Sequence, residues 1–255
     1  MTLSVAIITL NEEKNLERTL KSVQDFADEI VIVDSGSTDR TEKIAKKFGA
    51  KFVYQKWLGY GPQRNMAIDL SSSDWVLNID ADEEISEELA RKIKAIKENS
   101  RAKVYKINFM SVCFGKKIKH GGWSNSYRIR LFKKDAGRFN ENAVHEEFIT
   151  KEEVSKLNEY IYHHSYSDLA DYLRKFNKYT TLGAVEYHYK NKKAGIISIV
   201  LSPLYKFIRM YIFRLGFLDG IEGFVLAILS ALYTMVKYYK LREIYKNKSY
   251  VRDVD

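Results

Sequence analysis

Cysteine is almost missing from this chain. Cys113 is the single one in 255 residues, so no intrachain disulfide can form, and a reducing compartment is the natural setting. No uninterrupted apolar run reaches the roughly 18 residues that a transmembrane helix needs. A secretory leader is not expected either. Leu3 to Leu10 is apolar, but no basic segment precedes it and Asn11-Glu12-Glu13-Lys14 follows at once. Internal repeats and low-complexity linkers are lacking too. The chain is 45% hydrophobic and 29% charged, which suits an ordered globular protein with one large core, or a core plus an appendage.

Acidic charge is in deficit, leaving a formal net charge of +9. Such an excess favours polyanionic neighbours: nucleic acid, phosphorylated substrates or an anionic membrane surface. The basic residues are spread along the chain and no nucleic-acid-binding motif occurs, so no nucleic-acid partner is expected.

The first hundred residues alternate between two periods. Leu3 to Thr9 reads as a buried strand with β-branched Val5, Ile7 and Ile8. Asn11 can cap a following helix on which Leu16, Leu20 and Val23 recur at helical spacing. Glu29 to Asp34 is a second strand, Arg40 to Phe48 a helix stopped by Gly49, and Lys51 to Tyr54 a short third strand. Gly59-Tyr60-Gly61-Pro62 reads as a loop before a short helix from Gln63 to Leu70. Trp75 to Ile79 is a bulky apolar strand, and a charged amphipathic helix runs from Ser86 to about Asn99. Strand alternating with helix predicts a doubly wound, mainly parallel sheet.

The pattern then changes. Val104 to Val112, Ser126 to Phe132 and Val154 to Tyr162 read as strands of a mixed or antiparallel part. Lys133 to Gly137 reads as a hairpin turn, and Asn142 to Glu147 as a loop rich in titratable groups. Past Ser167 the chain is expected to be helical. Its apolar stretches, Ile196 to Phe217 and Phe224 to Tyr239, are broken by Pro203, Lys206, Arg209, Arg214 and a Gly-Phe-Leu-Asp-Gly turn. They read as too short and interrupted to span a bilayer. Basic residues and tyrosines beside them suit helices lying in the membrane interface, and a soluble helical subdomain is the alternative.

Two strands end in acid. Asp34 closes one; Asp80 and Asp82 close another, two residues apart, so on an extended backbone they point the same way. Neighbouring carboxylates repel unless a cation lies between them. Oxygen ligands suit magnesium or manganese, which usually also hold substrate phosphates. Ligands of open α/β sheets bind at the carboxyl ends of strands. Asp80-Ala81-Asp82 therefore reads as a metal–diphosphate site.

With Thr9-Leu10-Asn11-Glu12, Val33-Asp34-Ser35-Gly36-Ser37-Thr38-Asp39, Gly61-Pro62-Gln63-Arg64-Asn65 and Asp80-Ala81-Asp82-Glu83, the chain resembles the family 2 glycosyltransferases. The likeness continues through Arg130-Leu131-Phe132, Gly137-Arg138-Phe139, Val144-His145-Glu146 and Gly216 to Gly220. It is most similar to the bacterial branch that adds a glucose-type sugar to the lipopolysaccharide inner core.

The resemblance implies an α/β fold of the GT-A type, Rossmann-like with a mixed acceptor half, plus a C-terminal helical region. The expected boundaries are 1–99 for the nucleotide-sugar half, 100–166 for the acceptor half and 167–255 for the helices. It also implies inversion, a nucleoside-diphosphate sugar donor (UDP in the usual case) and a divalent Mn2+ or Mg2+ cofactor. By motif, Asp34 contacts the base and Arg64 lines the same pocket. Asp80 faces the ribose or a metal-bound water, and Asp82 binds the metal. Glu146 is the implied general base, with His145 beside it and Glu147 as competitor. His164 is a candidate further metal or diphosphate ligand. Arg128 and Arg130 could clamp phosphate or form a solvated strand face, and Cys113 reads as a small core residue.

The implied acceptor is a lipid-linked saccharide at the inner face of the bacterial cytoplasmic membrane, where the protein would be peripheral. A polyprenyl-phosphate glycosyltransferase shares the donor half but usually carries true transmembrane helices. A sugar nucleotidyltransferase would need a glycine-rich phosphate loop near the first strand, which is missing.

Overall fold

A computed structural model describes residues 1–141 and 146–247. The chain divides into two compact units: Met1–Met110 with Ser126–His164, and Ser111–Asn125 with Ser165–Asp255. The inclusion of Ser111–Asn125 with the C-terminal helices was not foreseen.

The first unit begins with β1 (Leu3–Thr9), wholly buried and hydrogen-bonded in parallel to β2 (Glu29–Asp34) on one side and β4 (Trp75–Asp80) on the other. A strand with both edges paired and both faces covered has to be apolar throughout, which explains the lack of alternation in Leu3 to Ile8. Leu3, Val5 and Ile7 pack on one face against Leu16, Leu20 and Val23 of α1 (Leu16–Val23) and Leu89 and Ile93 of α4 (Glu87–Glu98). Ala6, Val33 and Val76 pack on the other against Ala67 and Ile68 of α3 (Tyr60–Leu70). Full burial of each large aliphatic side chain contributes about 1.5–3 kcal/mol. Ser86 caps α4 by accepting the Leu89 N–H at 3.2 Å.

β3 (Lys51–Tyr54), β2, β1 and β4 form the parallel half, with α2 (Thr41–Lys47) crossing between β2 and β3. Beyond β4 the sheet continues through β8 (Ser126–Lys133), β6 (Val104–Cys113), β11 (Val154–Tyr166) and β5 (Glu83–Ile85). The β4–β8, β8–β6 and β11–β5 pairs are antiparallel. This is the expected α/β class, mainly parallel and then mixed. β7 (Lys116–Ile118) pairs with the end of β6. A separate small hairpin joins β9 (Gly137–Phe139) to β10 (Phe148–Thr150) and packs Phe139 and Phe148 against Phe132.

Three local differences matter for the site. α3 begins at Tyr60, three residues before the expected start; Pro62 sits in its first turn, where a missing N–H costs nothing. Gly61 is required there, because a Cβ would lie 1.8 Å from the Asn140 carbonyl oxygen. β5 was not foreseen; three residues carry too little pattern. β11 runs four residues past its expected end at Tyr162, so His163 and His164 are strand residues facing opposite sides.

In the second unit, α5 (Leu169–Tyr189) and α7 (Gly220–Asn247) bury Ala184, Val185, Leu241 and Ile244 between them. Cys113 and Ile118 pack with Leu226, Phe114, Trp123 and Tyr166. Asp219 accepts the Lys119 and His120 N–H groups at 3.2 and 2.7 Å and lies 3.0 Å from the His120 ring. Pro203 does not interrupt α6 (Ile196–Ile208), which continues as a π-turn over Arg209–Phe213. Ile196–Phe213 and Gly216–Lys246 are thus 18 and 31 residues long, and each holds an 18-residue window of mean hydropathy 1.5. By length and composition either is enough to cross a bilayer, contrary to the expectation from sequence. The core helix of a soluble unit can meet the same description.

Candidate active site

The register of the parallel strands sets out the site. Thr9 lies beside Asp34, and Ile8 beside Asp80, so both acids stand at the carboxyl edge of the sheet. Asp34 is buried, and its carboxylate accepts the Gly36 and Ser37 N–H groups at 2.8 and 2.7 Å and the Ser37 hydroxyl. It therefore holds the turn after β2 closed, an arrangement that the positive φ of Gly36 (107°) allows. Gln63 of α3 reaches the same loop, donating to Ser35 Oγ and the Gln55 carbonyl, each at 3.1 Å.

Asp80 lies between two buried guanidinium groups. Arg64 Nη2 is 2.7 Å from its Oδ1, and Arg130 Nη2 is 3.1 Å from its Oδ2. Arg64 also donates to Asn78 Oδ1 at 2.7 Å, and Arg130 to Glu83 Oε1 at 2.8 Å. Glu83, fully buried, returns to accept the Asp80 N–H at 3.0 Å. Burial alone would raise the Asp80 carboxyl; Arg64 and then Arg130 outweigh it and hold it well below the usual carboxylate range. Burial, with the charge of Asp80 nearby, pushes Glu83 the other way. Asp80 is thus a fixed anion with one partly exposed edge, oriented before any ligand arrives.

Arg130, 3% exposed and engaged by two acids, is not the open phosphate clamp considered from sequence. Arg128, on the exposed side of β8, lies over the Phe109 ring at 5.0 Å.

Asp82 follows in the turn between β4 and β5. Its Oδ2 is 3.3 Å from His163 Nε2, and its carbonyl accepts the His164 N–H at 3.0 Å. Antiparallel pairing sets His163 opposite Glu83, which brings that imidazole to Asp82. Burial would lower the His163 pKa, but Asp82 prevails and raises it. The side chain of His164 points elsewhere, to Glu84 Oε2 at 2.7 Å, with Arg18 Nε 3.7 Å from the same oxygen.

With the His163 proton displaced, Asp82 and His163 are spaced as two adjacent ligands of a divalent ion would be. Adjacent ligands of an octahedral ion at roughly 2.1 Å stand about 3 Å apart. Among the described residues no group of three or more His, Cys, Asp or Glu side chains could hold a metal alone, so the remaining ligands would have to come from water or substrate phosphate.

Glu146 borders the same acidic edge. Its Oε1 is 3.5 Å from Arg64 Nε, and its charge also acts on Arg130. It lines a cavity of about 570 Å³ with Tyr127, Arg128, Arg130, Phe139 and Glu147. Glu147 is exposed, and its backbone pairs with Asn140, holding the β9–β10 hairpin together. His145 lies outside the described residues.

The profile of the family described as "Glycosyl transferase family 2" matches residues 4–148, which takes in every acid just described. The chain belongs to family 2 of the glycosyltransferases. Its fold is accordingly of the GT-A type, with the parallel half carrying Asp34, Asp80 and Asp82 and the mixed half carrying Glu146 and His163. A protein of Rickettsia bellii named "Uncharacterized glycosyltransferase" is 33% identical over 95% of this chain and 86% of its own length. The "Lipopolysaccharide core biosynthesis glycosyltransferase LpsC" of Rhizobium meliloti is 30% identical over 92% of this chain and 89% of its own. Among solved structures, S. aureus TarS 1-349 in complex with UDP is 19% identical over 98% of this chain and 92% of that chain, with a TM-score of 0.48. That likeness is too loose to bear on ligands.

For this glycosyltransferase, the structure brings together Arg64, Asp80, Asp82 and Glu146 of the residues singled out from sequence. It sets His164 on the opposite face of β11 and ties Asp34 into its own turn. Glu83 and His163 were missed. Glu83 carried no signal of its own, standing between Asp82 and Glu84 in an acidic run; His163 depends on a strand pairing that no local pattern announces.

Proposed function

We propose that this glycosyltransferase moves a hexose, glucose in the first instance, from a UDP-type nucleotide sugar to a hydroxyl of a lipid-linked saccharide such as the lipopolysaccharide inner core, with inversion, at the inner surface of the cytoplasmic membrane. The observation that carries the reading is the juxtaposition of Asp82 and His163 with the arginine-locked Asp80 at the carboxyl edge of β4. The name of the Rhizobium meliloti relative supports the acceptor class.

In this reading Asp82 and His163 would hold a divalent ion, which would supply positive charge against the departing diphosphate. The His163 ring takes the part that His164 was expected to play. Asp80 faces the ribose or a metal-bound water, kept ionised and oriented by Arg64 and Arg130. The turn held by Asp34 frames the base, and Arg64 closes that pocket from α3. Glu146 takes the proton of the attacking hydroxyl from the cavity side, and the edge of β8 with Tyr127 and Arg128 receives the acceptor.

A polyprenyl-phosphate acceptor is the second reading. It is favoured by one feature, the two long apolar helical stretches from Ile196 and from Gly216. A panel of nucleoside-diphosphate sugars, offered with lipid-linked acceptors from a strain lacking this protein and followed by mass, separates the two. Transfer to the saccharide supports the first reading; transfer to polyprenyl phosphate alone replaces it.

A further inference from the structure

The helical hairpin of the second unit has an unusual charge distribution. From Lys190 to Leu218 the sequence holds six Lys and Arg and no acid, and Gly223 to Arg242 is equally free of acid. The two acids between these stretches are occupied: Asp219 by the His120 backbone and ring, and Glu222 by Lys116 at 2.8 Å. Lys206, Arg209, Arg214 and Lys237 have no carboxylate partner among the described residues. Lys206 and Arg209 stand one turn apart on one continuous helix, which packs along α7, the helix that carries Lys237. Half-burial of Lys206, then the positive charges of Arg214, Arg209 and Lys237, lower its pKa.

Like charges gathered without a counter-ion cost free energy unless an anion joins them. Arg214 packs over Gly122, where a Cβ would lie 1.9 Å from its Nη1, and Lys237 sits 3.7 Å from the centre of the Tyr187 ring, so these cations have defined seats. Along the same hairpin α6 leaves Ile196, Ile197, Val200, Leu201, Leu204 and Tyr205 between 53% and 75% exposed.

We propose that the α6 and α7 hairpin binds the phosphate groups of anionic lipids through Lys206, Arg209, Arg214 and Lys237, with the exposed apolar residues of α6 lying among the acyl chains. It rests on the membrane-surface reading above and names the residues and the lipid chemistry. A second copy of the chain would bring cation against cation. A nucleic acid would satisfy the charge but leave the apolar face in water. A leaflet rich in anionic headgroups meets both.

The test is flotation of the full chain with vesicles of phosphatidylcholine alone and of phosphatidylcholine mixed with phosphatidylglycerol. Binding is expected on the mixed vesicles, weakening as salt rises. The triple variant Lys206→Gln, Arg209→Gln, Lys237→Gln should lose roughly a hundredfold in affinity, at about fivefold per charge. Circular dichroism and nucleotide-sugar affinity should be unchanged in it. Equal binding to both vesicle types, or a triple variant within about fivefold of the parent, overturns the proposal and leaves the membrane reading standing. Binding to neither, with a dimer in sedimentation, overturns both. If the variant does not fold, the parent decides: affinity for mixed vesicles that ignores salt rules the cluster out.

Discussion

Replacing Arg130 by Met tests whether Asp80 is held by a buried ion network. The guanidinium is 3% exposed and bridges Glu83 at 2.8 Å and Asp80 at 3.1 Å. Met keeps much of the apolar volume but removes the charge. Glu83, 0% exposed, would be left with the Asp80 N–H as its remaining donor from this network. Removing one partner of a buried pair typically costs about 3–5 kcal/mol. For a unit of this size each kcal/mol lowers the melting temperature by about 2–4 °C, so the expected drop is about 6–20 °C. The double variant Arg130→Met, Glu83→Gln should recover at least about 2 kcal/mol, because the stranded charge is gone and Gln can still accept the N–H. Thermal melts of the parent, both single variants and the double close the cycle. A single variant that melts within about 2 °C of the parent, or strictly additive losses, would refute the idea that these groups act as a unit.

Other outcomes follow from the same geometry. Asp82→Ala and His163→Ala should each weaken Mn2+ binding, read by calorimetry in the presence of UDP, whereas His164→Gln should leave it within a few-fold; a larger loss at His164 would return the ligand role to that residue. Glu146→Gln should keep donor affinity but lose at least about a hundredfold in transfer rate, the scale for a general base, and Glu147→Gln should do much less; the reverse order reassigns the base. Burial pushes the Cys113 thiol up to about 12, so it should resist alkylation in the native state at pH 8 and react on unfolding. Because the folded value is the higher one, the stability Cys113 contributes is complete below its unfolded pKa near ~8.5 and is lost as pH rises through that range toward the folded value. Native-state alkylation as fast as that of a free thiol would show that the second unit opens around Cys113.

The parallel half of the sheet was legible because each element there is specified locally. Leu3 to Thr9 and Glu29 to Asp34 are continuous apolar strands that end in turn residues, and the amphipathic helices between them have clear periods. Asp80 and Asp82 were legible for the same reason, standing where a buried strand stops. What stayed hidden depends on long-range pairing. β5 has three residues, and only its register with β11, His163 opposite Glu83, decides which of two adjacent histidines meets Asp82. The role of Arg130 was hidden because a strand arginine reads as a solvated residue until its partners, 47 and 50 positions away in the chain, are known. Pro203 misled in the other direction: a π-turn follows it and the helix continues to Phe213, so the break expected from sequence does not occur. Within Ser111–Asn125, Lys119 and His120 are tied to Asp219 about a hundred residues later, a contact that no local pattern could announce.

The most direct test of the central claim is the product itself. A UDP-hexose labelled in the sugar, Mn2+ and a lipid-linked saccharide acceptor are incubated with the protein, and the product is examined by mass and by the proton–proton coupling at the new anomeric centre. The account predicts one added hexose with the configuration opposite to that of the donor, formed by the parent, lost in excess chelator and lost in Asp82→Ala. A product of retained configuration, full transfer in chelator, or release of free hexose with no acceptor modified under any condition would contradict it.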